Sequence, residues 1–172
     1  DPEDPWLFRQ EGWDWRWVSL RRAAAVGAGW ADPLSRYPLG ARASFLYSPC
    51  PDAVVLDLAV QAAGLIAVPV SEGLQGQQGQ QGRVEIAGES VVLPSWEEAE
   101  RAGVSAPGPE RLAGGGVVVR GAVLSQEDLG TVVERLGREI PVLPAGRRHI
   151  VVLGGFAGDP AERFLLAWAT VA

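Results

Sequence analysis

The sequence PDAVVLDLAVQAAGLIAVPV, residues 51–70, decides the fold. Proline and aspartate at its start are favoured in the first turn of a helix, and Gly64 is a common helix stop. We therefore predict a helix over 51–63. Residues 65–70 form a continuous apolar run, which is typical of a strand that is buried on both faces of a parallel sheet. A helix that leads directly into such a strand indicates an α/β fold.

Further helices and strands are predicted on both sides of this stretch. Before it, a helix over 19–30 is closed by Pro33, and a short strand covers 43–47. After it come strands at 83–87, 91–93 and 149–153, and helices that begin at Ser95 with a Ser95/Glu98 capping box, at Ser125 and at Asp159-Pro160. The prediction is a single α/β domain over 1–172, with a layered, largely parallel sheet flanked by helices.

Composition limits the classes of partner. A chain of 172 residues with 47% apolar residues is expected to bury a core. Its net charge of −6 argues against nucleic acid and anionic membranes, since both require a concentrated basic surface. Residues 53–70 approach the length of a membrane span, but Asp57 and Gln61 interrupt them, so no span is predicted. The lone Cys50, between two prolines, is interpreted as an inert thiol, and the lack of a leader predicts a cytoplasmic location.

The residue types exclude several kinds of catalysis. All 15 basic residues are arginines, which rules out Schiff-base chemistry and a phosphate-binding lysine in this chain. His149 is the single histidine and is interpreted as structural, because a metal site needs more ligands. Asp57 and Glu162 are interpreted as charges on helix faces. We therefore predict neither catalytic residues nor a metal site.

The stretch LAGGGVVVRGAVLSQEDL, residues 112–129, has two interpretations. In the first, three glycines form a nest of backbone N–H groups and an arginine contacts a phosphate. The candidate phosphate contacts are Gly114, Gly115, Gly116, Arg120 and Gly121. In the second, residues 117–119 and 122–124 are strands joined by a tight turn, with no room for a nucleotide. Three consecutive β-branched valines favour the second interpretation.

Two further segments have unusual composition. Residues 1–18 form a tryptophan-rich arm, and the alternation at 13, 15 and 17 predicts an extended segment with one aromatic face. Either this arm packs over the core, or it is a surface for self-association or for a partner. The candidate interface residues are Trp6, Trp13, Trp15 and Trp17. Residues 71–83, rich in glycine and glutamine, are predicted to form a flexible surface loop.

Three stretches of this chain resemble the adenylate-forming (AMP-binding, acyl-CoA synthetase-like) superfamily. Residues 48–70, SPCPDAVVLDLAVQAAGLIAVPV, are similar to that family's NSPEWVVADLAVLAAGAVAVPV. Residues 112–129 are similar to the family's phosphate loop TSGTTGxPKG and the SHxNL that follows, with Arg120-Gly121 in place of Lys-Gly. Glycine and valine replace the hydroxyl-rich part of that loop. The stretch from Gly146 resembles the family's strand, loop and PxxHxxER helix, without the motif histidine.

The resemblance implies the fold of the N-terminal subdomain of acyl-CoA synthetases, truncated after roughly the first third, with a degenerate phosphate loop. The function it implies is that of a non-catalytic interaction or regulatory protein without a cofactor, acting as a homodimer or with a protein partner. One alternative is a small-molecule module that binds ATP, AMP or an acyl-adenylate weakly. A second alternative is one part of a split AMP-forming ligase.

Overall fold

The computed structural model describes residues 5–47, 50–70 and 82–139, apart from 12, 104 and 106, and also residue 3. The strand predicted at 149–153, the helix predicted from Asp159-Pro160, and the residues His149 and Glu162 lie outside the described residues. So does the predicted glycine/glutamine loop up to residue 81.

The chain begins with a hairpin and a long helix. Strands β1 (Pro5–Glu11) and β2 (Asp14–Ser19) pair antiparallel. Helix α1 (Leu20–Leu34) follows at once, and the Ser19 hydroxyl caps it by accepting a hydrogen bond from the Arg22 N–H at 3.2 Å. The helix continues to Leu34, past its predicted end at residue 30, with Pro33 inside its last turn. A proline in that position removes only one backbone hydrogen bond, so it does not end the helix before Leu34.

Six strands form the main sheet, in the order β6-β5-β3-β4-β7-β8. They are β3 (Arg42–Leu46), β4 (Ile66–Val70), β5 (Arg83–Ile86), β6 (Glu89–Val92), β7 (Gly116–Val119) and β8 (Ala122–Ser125). β4 pairs parallel with β3 and with β7, whereas the β3–β5, β5–β6 and β7–β8 ladders are antiparallel. The sheet is therefore mixed and mostly antiparallel, and the prediction of a largely parallel sheet is wrong.

Two short turns account for two of the three antiparallel ladders, β5–β6 and β7–β8. Ala87 and Gly88 join β5 to β6 with φ angles of 52° and 84°, and Arg120 and Gly121 join β7 to β8 with φ angles of 48° and 82°. Positive φ at both central residues is typical of a type I′ turn, which folds a strand back on itself. Each turn therefore adds an antiparallel strand at one edge of the sheet.

The remaining helices are α2 (Pro51–Ala62), α3 (Trp96–Arg101), α4 (Pro109–Leu112) and α5 (Gln126–Glu139). α2 connects the parallel strands β3 and β4, as the opening stretch predicts. α3 begins with the predicted capping box of Ser95 and Glu98. α1 lies against α2 and α3, and Gly29 allows the approach to α3, because a Cβ there would lie 2.5 Å from the Ala99 carbonyl oxygen.

One apolar core joins these helices to one face of the sheet. The sheet contributes Ala43, Phe45, Ala67, Val84, Ile86 and Val117, and the helices contribute Val26, Leu34, Val55, Val60 and Leu129. α2 is apolar around most of its circumference, as expected for a helix that is covered on nearly every side. The apolar stretch over 53–70 is thus divided between α2 and β4. None of the helices in the described ranges is both long enough and apolar enough to cross a membrane.

Candidate functional site

The glycine segment, Gly114 to Gly116, connects α4 to β7. Its three N–H groups donate to three separate carbonyls: Gly114 to Arg111 at 3.0 Å, Gly115 to Leu112 at 3.0 Å, and Gly116 to Leu65 at 3.2 Å. A phosphate nest needs successive N–H groups that point at one anion. All three donors of this segment are instead used within the protein.

Close packing explains why these positions are glycine. A Cβ on Gly115 would lie 2.4 Å from the Gln61 carbonyl oxygen, and one on Gly116 would lie 2.5 Å from the Leu124 carbonyl oxygen. Gly114 is also closely packed, since a Cβ added there would lie 3.3 Å from the Gly64 carbonyl oxygen. The segment thus passes directly against the end of α2 and against β8.

Arg120 and Gly121 lie at the far end of β7 from the glycine segment. They form the turn of the β7–β8 hairpin, in which Val119 pairs with Ala122. At about 3.3 Å per residue, Arg120 is roughly 13 Å along the strand from Gly116. The five candidate phosphate contacts are therefore not brought together, and the hairpin of the second sequence interpretation is present.

A chain of polar side chains, which sequence reasoning missed, links the buried Asp57 and Gln61 of α2 to the half-buried Gln126 of α5. Gln126 donates from Nε2 to Gln61 Oε1 at 2.6 Å, and Gln61 donates from Nε2 to Asp57 Oδ2 at 3.0 Å. Asp57 is fully buried, so its interpretation as a charge on a helix face is wrong. The nearly continuous apolar sequence of α2 could have indicated this burial, because a helix that is apolar on all sides has no solvent face.

Burial also changes the acidity of Asp57. Loss of solvent raises the pKa of this carboxyl well above its ordinary value of 3.8, and the hydrogen bond from Gln61 offsets only part of the rise. Its Oδ1 has no hydrogen-bond partner among the described residues. The fold therefore favours the neutral form of this carboxyl group.

The N-terminal hairpin presents aromatic side chains to solvent. Phe8 and Trp17 pair across the strands with ring centroids 3.5 Å apart, and they are 42% and 54% exposed. Trp13 is 98% exposed and lies in the turn before β2, so it does not continue the predicted alternation. Trp6 is half-buried against the core, and the side chain of Trp15 lies outside the described part of the structure. The arm therefore both packs on the domain and exposes aromatic surface.

Arg9 holds this hairpin on the domain. Its Nε donates to Asp52 Oδ1 at 3.1 Å, and its Nη1 lies 3.6 Å from Glu97 Oε1. The guanidinium carbon lies 4.8 Å from the centre of the Trp96 ring, a cation–π distance. One side chain thus contacts the first turns of both α2 and α3.

An open cleft of about 450 Å³ lies between α1 and α4. Its polar lining comprises Asp32, Ser35, Ser105, Glu110 and Arg111. The Arg111 guanidinium donates to the Ala63 carbonyl at 3.0 Å, which fixes α4 to the end of α2. Over the described ranges, no three His, Cys, Asp or Glu side chains are grouped as metal ligands.

Comparison with known proteins shows a likeness of fold. No protein-family model matches the chain, and no curated protein is similar to it in sequence. The crystal structure of IdnL1 superposes with a TM-score of 0.58 at 16% sequence identity. The match covers 99% of this chain and 40% of IdnL1, so the chain spans less than half the length of that protein. At this identity the likeness shows a shared fold.

Proposed function

We propose that this chain is a non-catalytic domain of the adenylate-forming type, which acts by self-association and by contact with a protein partner. The observation that carries the proposal is the exposed aromatic set on the N-terminal hairpin, Phe8, Trp13 and Trp17. Large aromatic side chains supply much of the binding energy of protein interfaces. The exposure of these aromatic side chains therefore favours a protein-contact surface over an arm that only faces solvent.

The glycine segment supports a role without catalysis. Its N–H groups already have acceptors, and added Cβ atoms would collide with the backbone. The residues that are similar to the family's phosphate loop contain no lysine. Arg120, which stands in place of that loop's lysine, lies at the far end of β7 from the glycine segment.

Two likenesses support the choice of family. The sequence of residues 48–70 resembles a stretch of acyl-CoA synthetases, and those residues form α2 and β4 at the centre of the domain. The fold is similar to that of IdnL1 over 99% of this chain.

Calorimetric titration with Mg-ATP, and separately with a non-hydrolysable acyl-adenylate, tests the non-catalytic assignment. We expect no saturable heat with either ligand. Saturable binding that Arg120→Ala abolishes would favour the alternative of a small-molecule binding module. Binding that survives Arg120→Ala would also overturn the proposal and would point to another site, such as the cleft beside Arg111.

Light scattering at micromolar concentration tests self-association. We expect a mass of about twice that of the 18.2 kDa chain. The Trp13→Ala/Trp17→Ala variant tests whether the exposed aromatics take part in that contact or are left for another protein. A monomeric mass for the wild-type chain would contradict the self-association part of the proposal.

A further inference from the structure

The cleft between α1 and α4 has the dimensions of a binding site. Its volume of about 450 Å³ lies in the range of small-ligand sites, and all the residues that line it belong to the described ranges. One wall is a single face of α1, because Ala28, Asp32 and Ser35 follow one another at helical spacing. The other wall is formed by α4 and the residues just before it.

Each wall of the cleft carries one acidic residue. Asp32 lies on α1 and Glu110 lies on α4, and both are exposed. Among the described residues, neither carboxylate accepts a hydrogen bond or forms an ion pair. Two carboxylates on opposite walls attract a cationic group that is placed between them. The cleft therefore favours a ligand with an ammonium or guanidinium group.

Arg111 adds a charge of the opposite sign. Its half-buried guanidinium donates from Nη1 to the Ala63 carbonyl oxygen at 3.0 Å, which holds it at the end of α2. A guanidinium has five N–H donors, and no carboxylate within the described ranges uses those that remain. An arginine held in this way can bind a carboxylate through two parallel hydrogen bonds. The same cleft thus offers groups that bind an anion and groups that bind a cation.

We propose that this cleft binds the C-terminal residue of a protein partner, where that residue is lysine or arginine. The terminal carboxylate binds Arg111, and the basic side chain lies between Asp32 and Glu110. A ligand with charges of one sign only would leave like charges together in the cleft, whereas a basic C-terminal residue matches both signs. The inference rests on the proposed contact with a protein partner and states which chemical group that partner presents.

The shape and the apolar lining of the cleft fit the end of a longer chain. The cleft is open, so the preceding residues of the partner can extend out of it. Ala28, Pro107 and Pro109 supply apolar surface between the charged groups. The methylene groups of a lysine or arginine side chain pack against such surface while the charged end reaches a carboxylate.

An NMR titration of the whole chain with three peptides tests the proposal. The probes are acetyl-Gly-Gly-Lys with a free carboxylate, the same peptide with a terminal amide, and acetyl-Gly-Gly-norleucine with a free carboxylate. We expect saturable shifts of the amide resonances of residues 28–35 and 107–111 with the first peptide. Each of the other two lacks one charged group and should bind about fivefold more weakly. These comparisons leave the protein unchanged, so they do not depend on how a variant folds.

Substitutions then assign each charge of the ligand to its binding group. Arg111→Gln should remove the preference for the carboxylate over the amide and keep the preference for lysine over norleucine. The Asp32→Asn/Glu110→Gln variant should have the opposite effect. Asp14→Asn, which removes an exposed acid outside the cleft, is the matched control and should keep both preferences.

Three results would overturn the assignment. They are a lysine peptide that causes no saturable shifts, equal binding of the three peptides, and free lysine that binds as tightly as the lysine peptide. The last result would assign the cleft to a small molecule instead of a chain terminus. Any of these results together with a dimeric mass by light scattering would defeat this inference alone, whereas a monomeric mass would contradict the proposed self-association and leave the peptide result unaffected.

Discussion

Asp57 is the residue whose chemistry differs most from its sequence interpretation. Its pKa is raised in the folded chain, so the folded protein binds this proton more tightly than the unfolded chain does. Its contribution to stability is therefore fully present below about pH 3.8 and is lost as the pH rises towards the folded pKa. At neutral pH, folding must either keep Asp57 protonated or bury its negative charge, and both cost free energy.

Asp57→Asn should therefore raise the free energy of unfolding at pH 7. The amide oxygen can still accept the hydrogen bond from Gln61, and no proton has to be taken up on folding. The gain over the wild type should shrink as the pH falls to 4. Urea unfolding at several pH values measures both effects, with Asp32→Asn as the control because Asp32 is exposed. Parallel stability profiles for wild type and Asp57→Asn would contradict the assignment.

Glycine offers a matched pair of substitutions. Gly115→Ala should cost about 1–3 kcal/mol, because its Cβ would lie 2.4 Å from the Gln61 carbonyl oxygen. Gly130→Ala, within α5 and with no atom within 4 Å of the new Cβ, should instead stabilise the protein by about 0.5–1 kcal/mol. Chemical denaturation compares the two. Equal effects would mean that the glycine segment is not held against α2.

Sequence reasoning succeeds at the residue scale where the cause is local. The capping box at Ser95 involves two side chains three residues apart, so it is visible in sequence order. The burial of Asp57 and the packing of Gly115 depend on elements that lie close only after folding. The five candidate phosphate residues do not form one site for a local reason, since the extended strand β7 separates Arg120 from the glycines.

At the scale of elements, Arg9 joins the N-terminal hairpin to α2 and α3. Arg9→Gln should lower the free energy of unfolding by about 1–3 kcal/mol, since a hydrogen bond between charged, partly buried groups is lost. Arg21→Gln, which breaks an exposed pair with Glu3, should cost under about 0.5 kcal/mol. Denaturant unfolding measures both variants, and limited proteolysis shows whether the hairpin opens. Equal costs would mean that Arg9 does not hold the hairpin.

Elements whose ends are marked in the sequence were predicted closely. α2 and β4 lie within a residue or so of their predicted bounds, because Pro51 and Gly64 mark the ends of the helix. β6 begins two residues earlier than predicted, since Ala87 adopts a positive φ that alanine rarely shows. The β7–β8 hairpin was predicted, whereas the turn at Ala87 and Gly88 was not, because it lacks the asparagine or aspartate that often marks such a turn.

At the scale of the whole molecule, salt tests whether the exposed aromatic side chains drive the proposed self-association. Added salt screens attractions between exposed charges, but it does not weaken the burial of apolar surface. Raising sodium chloride from about 0.05 M to about 0.5 M should therefore leave the dissociation constant of the dimer unchanged or lower it. Sedimentation equilibrium at the two salt concentrations measures this effect. A dimer that weakens severalfold in high salt would point to an interface made of charged groups.

The packing of the glycine segment also has an evolutionary and engineering consequence. If the chain descends from a nucleotide-binding ancestor, replacing single residues would not return it to that activity. Threonine or serine at Gly115 or Gly116 would be driven into the carbonyls of Gln61 or Leu124 before it could reach a phosphate. A side chain at either position would require the connection between α4 and β7 to move away from α2 or β8. Changes in the surrounding backbone would therefore have to come before any change of these glycines.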